Sequence, residues 1–578
     1  VTLKCKIILI RVILLSFICI TAYAQQGDNW YVDNQASWAN NGISVITMDS
    51  YKTIMANYTL RQEQNIHYIR ADVTGNNDGS DWDNAYTALP AELERGATYY
   101  IADGNYESYT FDDAESETEY ITIKKAIEGD HGTDIGWQAS YGDGQALFDI
   151  LTFSTSYWVF DGQKRDDDWE SGYGFKIKPD ESYQFSPTKG IRLSWTDHIT
   201  FRYIEIEQFG QRQSEVRQEG FYGGDVSEIL VQYSYIHDFM GNGILLHGDN
   251  NIVEYSKIAN SFGYEGTHSQ GVQLFSSNVR NMTVRHSIFQ DIRGTAAIAC
   301  AWGTDGLNVY GNIFYNTPGS SGFTSPATIV DISDPDEIGL TNARIYNNLF
   351  YRYNHMANGG HPGVMISYTS DSSTNLIYNN LFVDCEEVAL DGNNAIHDYN
   401  YLINSTWVWN AVPGVNDSVH TGSDPIVDAD NGDFRLSAGA LPINAGLDLT
   451  TLPGFNPDSV DPDQNIRGSD GFWDIGAYEY TDSSGISNPD SYAMKLYQNY
   501  PNPFISETIF EYELHGTSKI EISLYDITGS KVRTFYSGMQ SEGSHAVRVS
   551  GEDLTSGIYF LELKDARFTN VRKCLLIK

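Results

Sequence analysis

Apolar and polar positions recur in a fixed order between Phe201 and about Ser405, although the distance between recurrences drifts. Aligning Phe201, Val231, Val253, Val284, Val309, Ile345 and Ile377 puts Ile204, Ser234, Ser256, Ser287, Asn312, Asn348 and Asn380 three residues on. Five residues on stand Ile206, Ile236, Ile258, Phe289, Phe314, Phe350 and Phe382. Asp238, Asn260, Asp291, Asn316 and Asp384 share the seventh offset; Gly241, Gly263, Gly294 and Gly319 share the tenth. Units of 30, 22, 31, 25, 36 and 32 residues keep this core while the connecting loops vary. Offsets three and five fall on one face of a strand, whose side chains alternate with period two. No three–four apolar spacing supports a helix, and Asn and Gly interrupt every unit. A second short strand follows in most units: GILLHG from Gly243, GVQLF from Gly271, TIVDI from Thr328, GVMIS from Gly363 and EVALDG from Glu387.

A unit this small cannot bury its own apolar face, so it must stack like side chains on the next unit. The pattern predicts an all-β solenoid, a parallel β-helix of about eight to twelve rungs. Ser and Asn at offset three are then placed to hydrogen-bond from rung to rung. The Asp and Asn of offset seven occupy a fixed turn position in five of seven units, which reads as structural and not catalytic. Earlier rungs are expected in ITIKKAI from Ile121, ALFDILTF from Ala146, YWVFDG from Tyr157 and KGIRLSW from Lys189. The acidic run Asp166, Asp167, Asp168 and Glu170 between them reads as a solvated loop in preference to a calcium site.

Outside the repeat the text changes character. Lys4, Lys6 and Arg11 flank or interrupt an apolar run from Ile7 to Ile20, and Ala22-Tyr23-Ala24 forms a small-x-small cleavage site, so residues 1–24 read as a signal peptide. Residues 25–66 form an N-terminal extension without a clear period. The β-helix with its N-terminal cap is placed at 67–420, a closing segment at 421–480, a Ser/Gly/Asn/Pro linker at 481–490, and a separate module at 491–578. No later run is long enough to span a bilayer as a helix. Cys300, Cys385 and Cys574 are too few and scattered for a disulfide framework or a metal-binding spacing.

Two stretches carry resemblances. HYIRADVTGNNDGSDWDNAYTAL from His67, followed by ATYYIADGNYES, resembles the leading segment of secreted right-handed β-helix proteins of the pectin-lyase-like superfamily. That resemblance implies a right-handed coil and a capping helix at Ala85 to Glu94. The segment 423–480, ending in DIGAYEY, is similar to the closing segment that follows such coils, which implies a cap and not an active site. KLYQNYPNPF from Lys495, EISLYDITGSKVRTF from Glu521, GIYFLELK from Gly557 and the final KCLLIK resemble the type IX secretion sorting domain of Bacteroidota. The same residues read directly as a small β-sandwich, with alternating strands, ITGS and LTSG turns, and paired prolines. The implied partner is the type IX secretion machinery, and the implied destination is the cell surface or the medium.

Charge narrows the function. The formal net charge is -40, which argues against a nucleic-acid partner. Between Gln163 and Arg293 there are 13 Lys and Arg, whereas Thr295–Ala343 and Tyr353–Phe434 contain none. An anionic polymer therefore has to bind the first half of the coil. The superfamily resemblance implies an extracellular polysaccharide lying along one parallel sheet, whose rungs stand about 4.8 Å apart. With Ile191, Leu193, Ile244, Leu246, Val272 and Leu274 inward, the outward set includes Arg192, Tyr222, Leu245, His247, Gln273 and Phe275. Elimination from a uronate needs a cation to neutralise the carboxylate and a base for the proton beside it. Arg217, Arg192, or a calcium ion held by Asp225, Asp249 or Glu265 is assigned the first task. His247 or His268 is assigned the second, and Tyr222 donates to the leaving oxygen. Gln273, Arg293 and Trp302 are read as substrate-binding. A polysaccharide lyase is thus the leading expectation. A glycoside hydrolase using two paired carboxylates and a non-enzymatic, adhesive glycan-binding protein remain as alternatives. The Asn-Thr-Asp, Asp-Asp and Gly-His-Gly blocks of polygalacturonases are not in the sequence.

Overall fold

Three parallel sheets form the walls of the coil in a computed structural model that describes residues 65–481 and 494–576. Interruptions fall at 211–215, 263–268, 295, 319–326, 332–338, 354–363, 367–374, 391–394, 409–411 and shorter sites beyond; three short strands between 23 and 47 are also described. The expected signal peptide lies almost wholly outside the described residues. The first sheet has 11 strands, from Tyr109–Phe111 to Thr406–Trp407. The second has 12, from Ile66–Ile69 to Ile396–Asp398, and the third 12, from Gly104–Asn105 to Ser418–His420. The chain visits first, second and third sheet in turn, and every strand pairs in parallel with its counterpart one coil on.

The expected columns form. Ile206 pairs with Ile236, Ile236 with Ile258, Ile258 with Phe289, and Phe289 with Phe314, all fully buried. Phe289, Phe314, Phe350 and Phe382 stack with centroids 4.9, 4.8 and 4.7 Å apart, the rung spacing itself. The polar ladder also forms. Asn312 donates to Asn348 at 3.1 Å, Asn348 to Asn380 at 2.9 Å and Asn380 to Asn400 at 3.0 Å, all fully buried. Each amide also satisfies a wall carbonyl, as Asn348 does with Val309 at 2.9 Å.

The unit is divided more finely than its text suggests. Offset two is held in the left-handed region at Tyr203, Tyr233, Tyr255, His286, Gly311, Asn347 and Asn379, with φ between 47° and 65°. That single residue turns the chain from the second sheet into the third, so the unit start and offset five lie in different sheets. Offset seven is a second left-handed turn at Asp238, Asn260, Asp291 and Asp384, which is the structural role expected of it.

Two expectations are corrected in position. Residues 85–94 form no helix, because Pro90 lacks an N–H and disfavours helical backbone at Leu89. Ala85 and Leu93 are instead buried from an irregular segment that pairs Tyr86 with Ile69. The segment 423–480 lies along the flank of the coil, not across its end: Ile426, Phe434, Leu436 and Ile475 pack on outward Ile313, Leu349, Leu381 and Ile403 of the third sheet. As expected, the C-terminal module is a sandwich of a three-stranded and a four-stranded antiparallel sheet closing over Phe510, Ile522, Leu524, Leu561 and Leu563. Among the described residues no helix is long and apolar enough to cross a membrane.

Candidate functional site

A column of small residues sets the edge of the first sheet. Gly190, Gly220, Gly243, Gly271 and Ala297 follow one another at the corner with the third sheet, turned towards its apolar column. At Gly220 a β-carbon would lie 2.5 Å from both Ile236 Cγ2 and the Gly243 carbonyl oxygen, so no larger side chain fits. The residue before each of these faces outward, giving a second column of Lys189, Glu219, Asn242, Gln270 and Ala296. Beside it runs the outward column Thr152, Arg192, Tyr222, Leu245, Gln273 and Ala299.

These two columns hold a connected polar group. Lys189 Nζ lies 3.5 Å from Glu219 Oε2 and 4.5 Å from the Tyr222 ring centroid. Asn242 Nδ2 donates to Glu219 Oε1 at 2.9 Å and to Gln273 Oε1 at 3.2 Å. Glu219 is 2% exposed. Burial pushes its pKa up, and Lys189, Asn242 and Arg217 only partly offset that. Arg192 and Arg217 are both exposed, and neither meets a carboxylate at ion-pair distance among the described residues. By contrast, outward cations on the other two sheets are engaged: Arg202 with Asp161, Arg285 with Glu254 and Lys176 with Glu205. In a chain of net charge -40 this leaves uncompensated cations gathered on one stretch of one sheet.

The remaining candidates are spread over both edges of that sheet. Arg293 lies at the third-sheet corner, 3.9 Å from Asp291 and over the Phe262 ring. His247, Asp225, Asp249 and Trp302 lie at or beyond the opposite edge, where the chain turns to the second sheet. His247 Nε2 accepts the Phe275 backbone N–H at 3.2 Å, and burial lowers its pKa. Its acceptor nitrogen is therefore already used, which leaves the imidazole fastening a turn and not poised as a base. Asp225 accepts from Asn278 at 3.1 Å, and Trp302 stands edge-on to Phe275 at 5.9 Å. Glu265 and His268 lie outside the described residues.

Of the residues assigned to calcium, Glu265 lies outside the described residues, and Asp225 and Asp249 belong to no converging group of three acidic or imidazole side chains among the described ones. Among the described residues the only three acidic or imidazole side chains whose ligand atoms converge within 4.8 Å are Glu205, Glu207 and His237, outward on the third sheet. Lys176 occupies that space, 2.5 Å from both Glu205 and Glu207. Burial alone would raise the pKa of Glu205, but bonds from His237, Lys176 and Gln145 outweigh it and hold the carboxyl at about 2, below its usual 4.5. His237 moves the other way: burial opposes its charge, and Asp238 and Glu205 raise it above 6.5. The depressed carboxyl adds stability above its ordinary pKa that is lost as pH falls towards about 2. The raised imidazole adds stability below 6.5 that is lost as pH climbs through its folded value. Thermal scans are therefore expected to show the melting temperature falling on the acid side of about pH 5, and less so in Glu205→Gln.

Sequence reasoning missed Lys189, Asn242 and Gln270. The signal was available: each immediately precedes a member of the small-residue column, a position visible only once rungs of unequal length are put in register.

Comparison with known proteins agrees with this architecture. The family described as "Right handed beta helix region" matches residues 181–331, and "Secretion system C-terminal sorting domain" matches 498–578. The coil is right-handed, and the chain ends in a type IX sorting domain. No curated protein matches the chain. Among solved structures it is similar to the pectate lyase Pel9A, at 15% identity over 72% of this chain and 96% of that one, TM-score 0.43. A polysaccharide lyase of family PL6 from Pseudopedobacter saltans is similar at 13% identity over 60% and 93%, TM-score 0.25. The tailspike of E. coli bacteriophage HK620, a double mutant in complex with a pentasaccharide, is similar at 10% over 88% and 84%, TM-score 0.29.

Proposed function

We propose that this chain, exported by the type IX route, is a polysaccharide lyase that cleaves a uronate-containing polymer by β-elimination on the outward face of its first sheet. The observation that carries the reading is the set of cations along two adjacent rungs: Lys189 over the Tyr222 ring and paired with the buried Glu219, Arg192 in register with Tyr222, and Arg217 at the start of the Tyr222 strand near Glu219. Arg192 or Arg217 takes the uronate carboxylate, which makes the neighbouring proton acidic. Lys189 lies over the Tyr222 ring and pairs with Glu219, whose other oxygen accepts from Asn242. The Tyr222 oxygen, acting as the base, takes that proton, the electron pair becomes the new carbon–carbon double bond, and the bond to the leaving oxygen breaks. The phenol then returns its proton to that oxygen.

A hydrolase needs two carboxylates across the scissile bond. Strands Thr188–Ser194, Gln218–Gly224, Asn242–Leu246 and Gln270–Phe275 carry one, Glu219, which favours elimination.

The test is incubation of the secreted protein with alginate, pectate and glycosaminoglycans, following absorbance of the unsaturated uronate. New reducing ends without that chromophore would replace the lyase with a hydrolase, and retained glycan binding without either would make the chain an adhesin. Arg192→Ala and Arg217→Ala are each expected to lower kcat/KM by about 10–100-fold, the worth of a charged hydrogen bond. Neither should shift the melting temperature, since neither arginine is ion-paired among the described residues.

A further inference from the structure

Where the chain leaves the first sheet for the second, the residue after Ser194, Gly224 and Ala301 is held in the left-handed region. These are Trp195 at φ 57°, Asp225 at 54° and Trp302 at 61°. Asp tolerates such a backbone because its short side chain hydrogen-bonds locally, whereas a bulky indole there is strained. The tyrosine turns between second and third sheets sit in the same region, but their rings stack on one another. Trp195 has no such support: it is 80% exposed, with no hydrogen bond or ring contact among the described residues. Trp302 is 51% exposed, with the Phe275 ring edge-on beside it at 5.9 Å. A large side chain held at positive φ and turned to solvent is a device for meeting a ligand.

Both indoles lie on one edge. Ser194 pairs with Gly224 and Phe275 with Ala301, and the strands follow in the order 188–194, 218–224, 242–246, 270–275 and 296–301. Trp195 and Trp302 therefore stand four rungs apart, about 19 Å at the spacing of a parallel sheet. The edge between them is open to solvent: Asp225 is exposed, and His247, Phe275 and Ser276 are half-buried. A pyranose in an extended chain is close to one rung in length, so the two rings match sugars about four units apart. The apolar face of a sugar ring stacks on an indole while its hydroxyls and carboxylate stay in water. Rings set apart by Asp225, His247 and Ser276 lack the contiguous apolar patch of a protein interface. Charge points the same way, because the exposed Arg192, the register partner of Tyr222, lies on the Trp195 rung.

We infer that Trp195 and Trp302 are stacking platforms at the two ends of one sugar-binding track along this edge, engaging about five consecutive sugars of the polymer. This rests on the lyase reading and adds the length and course of the substrate it grips. The test measures KM on trimers to octamers prepared from alginate, pectate and hyaluronan. On whichever series gives unsaturated product, KM is expected to fall by about tenfold between trimer and hexamer, the worth of one good ring contact. Trp302→Ala removes that gain, since the longer chains alone reach it. Trp195→Ala, beside the site of cleavage, raises KM about tenfold at every length, and Trp195→Tyr, which keeps an aromatic face, restores it. The melting temperature of Trp195→Ala should be unchanged, since the ring is not packed. A KM indifferent to length, or either alanine variant following the wild-type curve, overturns this inference and leaves the lyase standing. If no series gives product, the lyase reading falls, and electrophoresis through gels holding the same polymers tests the track alone. Retardation abolished by both alanine substitutions keeps it; retardation that is absent, or unchanged in either variant, overturns it.

Discussion

Tyr222→Phe is expected to lower kcat on a cleavable uronate polymer by about 100–10,000-fold while KM stays within about threefold, the range for a lost general acid–base group. The ring is retained, so Lys189 keeps its contact and the outward column keeps its packing. No hydrogen bond to the Tyr222 hydroxyl exists among the described residues, so its loss should leave the fold untouched. His247→Ala gives the contrast. It removes an acceptor from the Phe275 amide, so a modest loss of stability is expected with kcat largely kept. The reverse order, with Tyr222→Phe active and His247→Ala dead, would return the base to the imidazole.

The second large effect concerns the coil. Phe350→Ala is expected to destabilise the chain by about 3–5 kcal/mol in denaturant unfolding, the usual cost of an aromatic-sized cavity. Phe350 is fully buried between Phe314 and Phe382, and its rigid neighbours above and below cannot collapse into the gap. Ile396→Ala, on the same solenoid but 56% exposed, should change stability by less than about 0.5 kcal/mol. Equal effects from the two substitutions would mean that the aromatic column does not hold the rungs together.

Most of the wall was legible in the text because stacking forces identical side chains to recur at fixed offsets, whatever happens in the loops. Offsets three and five therefore point directly to the Asn ladder and the Ile/Phe column. The turn at offset two was not, because Tyr203, Tyr233, Tyr255 and His286 are poor left-handed residues by local rules. Their rings stack on one another at 4.9, 5.2 and 5.0 Å, and that rung-to-rung contact offsets the backbone strain. Tertiary stacking likewise made residues 421–480 a flank cover: the outward side chains of the late third sheet are apolar, and something had to bury them.

The site divides in the same way. Arg192, Tyr222 and Gln273 fell on one outward column because strand alternation alone places them there. Arg217 follows from its position one residue before the strand Gln218–Gly224. Asp225 and Asp249 were drawn in by chemistry alone; alternation also put His247 outward, but the strand ends at Leu246, and the turns that carry these residues lead towards the second sheet. Lys189 and Gln270 needed the inter-rung register, which loops of unequal length conceal.

The most direct measurement is a crystal structure of Tyr222→Phe soaked with an uncleaved oligosaccharide of its substrate. The account predicts the sugar chain running along the outward face of the first sheet, with a carboxylate about 3 Å from the guanidinium of Arg192 or Arg217 and the scissile bond beside residue 222. A ligand seated on the second or third sheet, or one crossing the first with its carboxylate away from both arginines, would contradict it.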